Sequence, residues 1–359
     1  WKEQQIIKVI TGIRRCGKST LFELFQEHLL SCGVAPEQII AINFEDVDNE
    51  PLCGYKELYE HVKSRMLPGK MNYIFLDEIQ HVAHYEKAVD SLFLQKNADV
   101  YITGSNAYFI SGELATLLSG RYVELKMLPL SFAEYVSAFP DTMNREELYR
   151  RYVYNSSFPY TVELKSRKQV HTYLDGLYNT VVLNDIVERR RVQNPAMLKS
   201  VIRFLFDNIG NTCSAKRIAD AMTSAGRKIA SRTVENYLEG ITDSLLMYRV
   251  SRFDIKGKEY LRLLDKYYLA DIGLRYYLLG TRNVDQGHIL ENVVFLELLR
   301  RGYQVYIGKA GSAEVDFVAQ DCDGNTEYYQ AALTVREKAT LARELAPLDS
   351  IPDHNPKYL

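Results

Sequence analysis

The run Gly12-Ile13-Arg14-Arg15-Cys16-Gly17-Lys18-Ser19-Thr20 constrains this chain more than any other stretch. It satisfies G-x-x-x-x-G-K-[ST] at every required position. It also lies between an apolar run, Ile6 to Ile10, and a helical pattern, Leu21-Phe22-Glu23-Leu24-Phe25. That strand–loop–helix context is what the motif needs in order to work. Such a loop turns consecutive backbone N–H groups toward a phosphate chain, and the helix behind it adds a partial positive charge. Glycine at Gly12 and Gly17 lets the backbone wrap an anion closely. Lys18 is expected to reach the β- and γ-phosphates, and the Ser19 hydroxyl to take one coordination position on Mg²⁺. Residues 12–20 are thus the expected nucleotide-binding segment, with ATP and Mg²⁺ as its ligands.

Further runs supply the sheet such a loop requires. Ile39 to Phe44 is near-continuously apolar, as suits a parallel strand buried on both faces, and Glu45-Asp46 follows at the carboxyl end where ligands gather. Tyr73-Ile74-Phe75-Leu76-Asp77-Glu78 has the Walker B form of a buried strand tipped by two acids. Asp77 is expected to orient Mg²⁺, and Glu78 to accept a proton from the attacking water or align it. A further strand, Asp99 to Thr103, ends in Gly104-Ser105-Asn106. There Ser105 or Asn106 would sense the γ-phosphate, the alternative being a plain turn. Arg121, in the turn before another apolar strand, is a candidate arginine finger, acting within the chain or on a neighbouring subunit of a homo-oligomer.

With 359 residues the chain has room for two or three domains, and 47% hydrophobic and 25% charged residues are globular values. No apolar run reaches 18 residues, so no membrane partner is expected. The opening Trp1-Lys2, without methionine, reads as a chain whose N-terminus is missing, and no signal peptide is visible. Cys16, Cys32, Cys53, Cys213 and Cys322 form no C-x-x-C pair and read as reduced thiols of a cytoplasmic protein. Cys16 lies inside the loop, so its alkylation is expected to block nucleotide binding. The net charge of −2 confines any nucleic-acid affinity to a local patch. No Asn/Thr-Lys-x-Asp guanine signature stands in a suitable place, which favours adenine.

Four segments are expected: a doubly wound α/β core over 1–130, a helical lid or linker over 131–195, a winged helix-turn-helix over 196–265 and a small α/β domain over 266–359. In the third, Ser214 and Ser231 can cap two helices, and Val234, Leu238, Ile241 and Leu245 recur at inward helical spacing. Arg232, Thr233, Asn236 and Tyr237 face outward by the same spacing, with Arg227 and Lys228 before them. Their chemistry suits phosphates and base edges of double-stranded DNA. A lid or subunit contact would serve the same segment equally well. Residues 247–250 and 260–263 would form the wing.

Taken together, GIRRCGKST, YIFLDEIQ, ITGSN and LSGRYVELKMLPLSFAEY resemble a family of prokaryotic AAA-type ATPases whose C-terminal domain resembles the PD-(D/E)xK restriction-endonuclease fold. The resemblance implies a nucleotide site at Gly12, Gly17, Lys18, Ser19 and Thr20, a Walker B pair at Asp77 and Glu78, a sensor at Ser105 or Asn106, and a finger at Arg121. In the endonuclease-like fold a helix acid, a strand Asp and a Glu-x-Lys hold one or two metal ions. Glu291 and Asp316 match the first two. Gln330 stands where the second acid should be and Ala332 where the lysine should be, so a degenerate pocket is expected. The chain is expected to be a Mg²⁺-dependent ATPase acting as a switch or motor on a macromolecule. The alternatives are a nucleotide-gated DNA-binding regulator and, further off, a metal-dependent nuclease.

Overall fold

Five strands lie side by side as one all-parallel sheet, the three inner ones buried on both faces; the run from Ile39, at one edge, is exposed at Ala41 and Asn43, which corrects the expectation that both of its faces are covered. β1 (Ile7–Thr11), β2 (Ile39–Asn43), β3 (Asn72–Asp77), β4 (Ala98–Gly104) and β5 (Tyr122–Lys126) take the order β2-β3-β4-β1-β5. The structure is a computed structural model that describes residues 1–105, 118, 120–257, 259–281, 285–311 and 313–359, with residues 184 and 259–263 described by backbone alone. It divides into two compact units, Trp1–Met127 with Asp243–Leu245, and Leu128–Thr242 with Leu246–Leu359.

In the first unit the sheet is flanked by α1 (Lys18–Ser31), α2 (Tyr55–Arg65) and α3 (Tyr85–Phe93). Period-two alternation explains the two cores. Ile7, Val9, Ile40, Ile42, Ile74 and Leu76 pack with Leu58 and Val62 of α2 and with Val89 and Leu92 of α3. Ile10, Tyr73, Phe75 and Tyr101 point the other way, onto Phe22 and Leu29 of α1. Ring contacts of Phe22 on Phe75 (5.1 Å) and Phe25 on Tyr101 (5.3 Å) seat α1 against the sheet. The loop that starts α1 therefore hangs on a rigid strand and a firmly packed helix. Lys8, on the same face, is buried in an ion pair with Asp99.

The second unit starts with helices: α4 (Phe132–Ser137), α5 (Arg145–Asn155), α6 (Arg167–Thr180), α7 (Pro195–Asp207), α8 (Ala215–Ser224) and α9 (Ser231–Asp243). Beyond Thr180, α6 continues as a π-helix, Val181–Glu188. Ser214 caps α8 by accepting the Arg217 N–H, as its context predicts. Then come β6 (Met247–Asp254), β7 (Glu259–Leu269), α10 (Ile272–Leu279), α11 (Gln286–Arg300), β8 (Gln304–Ala310), β9 (Ala313–Gln320), β10 (Thr326–Tyr329), α12 (Lys338–Asp349) and β11 (Lys357–Tyr358). The strands form one mixed sheet, β11-β10-β9-β8-β6-β7. The two strands expected as a wing, β6 and β7, pair antiparallel and continue through the parallel β6–β8 pairing into this sheet. The boundary expected between residues 265 and 266 lies inside β7. Phe295 and Leu298 of α11 pack on Tyr268, Ile307 and Phe317 of the sheet. Among the described residues, no helix is long and apolar enough to cross a membrane.

Candidate functional site

The carboxyl ends of β1, β3 and β4 carry the expected site residues, and β4 lies between the other two strands. At the end of β1, Gly17 adopts φ +107° and leads directly into α1, a conformation that favours glycine. Gly12 is needed for space: a Cβ there would lie 2.4 Å from the Met127 carbonyl oxygen and 2.7 Å from Cys16 Sγ. Lys18 is buried, and its Nζ donates to the Gly12 carbonyl at 3.0 Å and the Ile13 carbonyl at 3.5 Å. Ser19 and Thr20 are exposed at the first turn of α1, Arg15 is exposed at φ +65°, and Arg14 pairs with Glu45 at 3.1 Å.

Cys16, whose alkylation is expected to block nucleotide binding, is not an accessible thiol. Its Sγ packs against Gly12, the residue is 1% exposed, and burial pushes the thiol above its ordinary value, which leaves it protonated. Iodoacetamide is therefore expected to label Cys16 of the folded protein far more slowly than the exposed Cys32 and Cys322, read by peptide mass spectrometry.

At the end of β3, Asp77 and Glu78 are both buried. Glu78 Oε1 lies 3.6 Å from Lys18 Nζ, so the loop and the acid-tipped strand meet at one point. Burial pushes the Glu78 carboxyl up, but Lys18, the Gln80 amide, Arg14 and His81 together hold it below its ordinary value. It is therefore an anion at neutral pH. Glu78 also sits at φ +52°, a left-handed conformation that costs a non-glycine residue ~1–3 kcal/mol and is typical of functional turns.

Thr103, expected only as the last residue of a strand, ties the two acids together. Its hydroxyl donates to Asp77 Oδ1 at 2.5 Å and accepts the Glu78 N–H at 2.8 Å. A hydroxyl closing an otherwise apolar run, one residue before glycine, was the signal available. Thr103→Val keeps the shape, unpairs a buried N–H and releases Asp77, so a loss of ~1–3 kcal/mol is expected in chemical denaturation. Thr103→Ser, which keeps the hydroxyl, is expected to restore most of it.

Ser105 follows β4, fully buried, and its Oγ has no hydrogen-bond partner among the described residues. Asn106, the other expected sensor, lies outside the described residues. Arg121 is placed differently from the rest. Its carbonyl accepts the Ile7 N–H, and β5 runs parallel to β1 from there, so Arg121 stands at the amino end of the sheet. Five residues of strand separate that level from Gly12, roughly 16 Å at ~3.3 Å per residue. Its guanidinium pairs with Asp90 over the Phe93 ring. Arg121 thus stands at the opposite end of β1 from the loop of its own chain.

Of the residues expected to meet DNA, Arg227, Lys228, Arg232 and Asn236 are exposed and Thr233 is half-buried. Tyr237 is a correction: it is buried, with its hydroxyl toward the Asn194 carbonyl at 3.4 Å. Glu235 and Glu239 share the exposed face of α9 with Arg232 and Asn236, and Arg227 hydrogen-bonds Ser200.

In the second unit the structure brings Glu291 of α11 and Asp316 of β9 together, with Lys266, Tyr268 and Glu314 added to them. Burial first, then Glu291, pushes the Asp316 carboxyl from 3.8 up to about 7. A carboxyl raised by folding stabilises the protein while it is protonated. That contribution is complete below the ordinary aspartate range and is lost as pH rises through about 7. Asp316→Asn is expected to flatten this fall in stability between pH 4 and 7, measured by urea denaturation across pH.

The first unit fits a nucleotide and Mg²⁺ on its own chemistry. The loop leaves no room for a Cβ at Gly12, Lys18 is held at its centre, Ser19 is exposed beside it, and Ser105 presents a buried hydroxyl without a partner. A family model described as an AAA domain matches residues 4–136, and one described as a domain of unknown function matches residues 146–285. An uncharacterised protein of Haemophilus influenzae is 39% identical over 341 residues, 94% of this chain and 85% of its own length. The uncharacterised protein MJ1544 of Methanocaldococcus jannaschii is 31% identical over 331 residues, 87% of this chain and 71% of its own. Among solved structures, the Walker-type ATPase PABY2304 of Pyrococcus abyssi is similar in fold, with a TM-score of 0.51 at 15% identity, over 76% of this chain and 90% of that one. With 39% identity across most of both chains, this chain belongs to one family with the Haemophilus influenzae protein, and its residues 4–136 form an AAA-type P-loop domain.

Proposed function

We propose that the chain is a Mg²⁺-dependent ATPase whose first unit binds and hydrolyses ATP and acts as a nucleotide-driven switch on a macromolecular partner. The observation that carries this reading is the 3.6 Å contact of Lys18 Nζ with Glu78 Oε1, which puts the loop lysine and an ionised acid at one point. Residues 12–20 would hold the phosphates, with Lys18 moving from the Gly12 carbonyl to the β- and γ-oxygens. Ser19 and Asp77 would hold Mg²⁺, which when bound neutralises charge on the phosphate oxygens. Glu78 would take the proton of the attacking water, and Thr103 keeps Glu78 and Asp77 in register. The Ser105 hydroxyl is available to that water or to the terminal phosphate. Arg121 would contribute only to a neighbouring protomer's site, since its own lies roughly 16 Å along the sheet at ~3.3 Å per strand residue. Phosphate release by the wild type beside Lys18→Ala tests the reading. Mg²⁺-dependent release that the variant loses supports it, and equal rates refute it.

A second reading makes double-stranded DNA the partner, favoured by the exposure of Arg227, Lys228, Arg232 and Asn236 on consecutive segments. Glu235 and Glu239 on the same helix face weaken the field that those residues offer. DNA binding at low salt that falls with added salt and weakens in Arg232→Ala would support this reading. Binding that is indifferent to Arg232 would remove it.

A further inference from the structure

The endonuclease-like resemblance implies one or two divalent ions held between Glu291 and Asp316. The residues present do not fit such an ion. β7 places the Lys266 ammonium, 4% exposed, 2.9 Å from Glu291 Oε1 and 2.8 Å from Glu314 Oε1. Tyr268, two residues on and so on the same strand face, donates to the same Glu291 oxygen at 2.5 Å. Burial alone would depress the Lys266 ammonium, but Glu291 and Glu314 more than offset it, so it stays charged. The strand acid is committed elsewhere: Asp316 Oδ2 accepts the Ala331 N–H at 2.8 Å. Gln330 is committed too, accepting the Asp316 N–H at 3.3 Å and donating to Glu344 Oε2 at 3.2 Å. A hard divalent ion needs several anionic oxygens converging on one point. Among the described residues, Glu45, Glu78 and His81 are the one group of three acids or histidines whose ligand atoms lie within 4.8 Å of one another. Glu291, Glu314 and Asp316 do not converge to that degree.

We propose that the Lys266 ammonium is the resident cation of this pocket and stands in for the divalent ion of an endonuclease-like site. The C-terminal module accordingly binds no catalytic metal and cleaves no phosphodiester, and the pocket instead clamps β7, β9 and α11 to one another. A lysine with three donors on a flexible stem can satisfy two carboxylates at once, which a fixed water shell around Mg²⁺ would contest. The lysine comes from β7, two helices and three strands before Ala332, the position where a lysine is expected, and this hides it from a motif search.

Calorimetric titration of Mn²⁺ into the full chain tests the proposal, with wild type, Glu291→Gln and Asp316→Asn compared. Superimposable isotherms are expected, because any Mn²⁺ taken up binds elsewhere. Loss of one Mn²⁺ equivalent in either variant overturns the proposal, as does Mn²⁺-dependent plasmid nicking by the wild type that Asp316→Asn abolishes. Lys266→Met removes the internal cation and leaves Glu291 and Glu314 facing each other. Its melting temperature is expected to rise in millimolar Mn²⁺ by more than that of the wild type, and an equal response in both overturns the assignment. If Lys266→Met does not fold, the three isotherms still decide.

Discussion

Glu78→Gln is expected to leave ATP binding intact and to lower turnover by ~10²–10⁴-fold, the usual contribution of a positioned general base. Glutamine keeps the size of the side chain and can keep a hydrogen bond to Gln80, so the left-handed turn at φ +52° is preserved. What goes is the negative charge that Lys18, Gln80, Arg14 and His81 hold ionised. Without its ion-pair partner at 3.6 Å, Lys18 is readier to leave the loop carbonyls for a phosphate, so ATP affinity holds or rises. Equilibrium binding and single-turnover hydrolysis, measured on the same preparation, separate the two effects. Unchanged single-turnover rates would move the base to another residue.

Gly12→Ala is expected to cost ~1–3 kcal/mol of stability and to abolish nucleotide binding, because an added methyl group meets atoms on two sides. Cys16 Sγ at 2.7 Å can rotate, but the Met127 carbonyl at 2.4 Å is backbone and is fixed by the Met127 N–H bonded to the Thr11 carbonyl. The strain is relieved only by moving the loop off β5, which also removes the Gly12 carbonyl that holds Lys18. A melting curve and a nucleotide titration read the two consequences. Gly33→Ala is a useful contrast, since nothing lies within 4 Å of a Cβ there and the cost is confined to its left-handed backbone.

Much of the first unit was legible in the sequence because its signals are local. The runs at Ile7, Ile39, Tyr73 and Asp99 are mostly apolar, and each proved to be a strand, with both faces covered at Ile7, Tyr73 and Asp99 but only one at Ile39, which lies at the sheet edge. The loop needs two glycines and a lysine at fixed spacing, so its geometry is written in consecutive residues. Arg121 marks the limit of that logic: a turn next to a strand looks alike at either end of a sheet, and the register Ile7 to Tyr122 is set by pairing that no local pattern carries. Thr103 was hidden for a related reason, since its two partners sit on a neighbouring strand.

The second unit was less legible. Its helices were signalled by caps such as Ser214, yet Tyr237 reads as outward by spacing and is drawn inward toward Asn194. Lys266 carries no sequence mark of its role, because it meets Glu291 and Glu314 only once β7, α11 and β9 are packed. Burying a charge is tolerable only with such partners, and partners distant in sequence cannot be read from composition.

The most direct measurement is an equilibrium titration of Mg²⁺–ATP into the wild type and into Lys18→Ala, with a melting curve showing that both are folded. Saturable binding by the wild type is expected to weaken roughly 10- to 100-fold in the variant, the worth of a hydrogen bond to a charged group. Equal affinity in the two proteins would contradict this expectation.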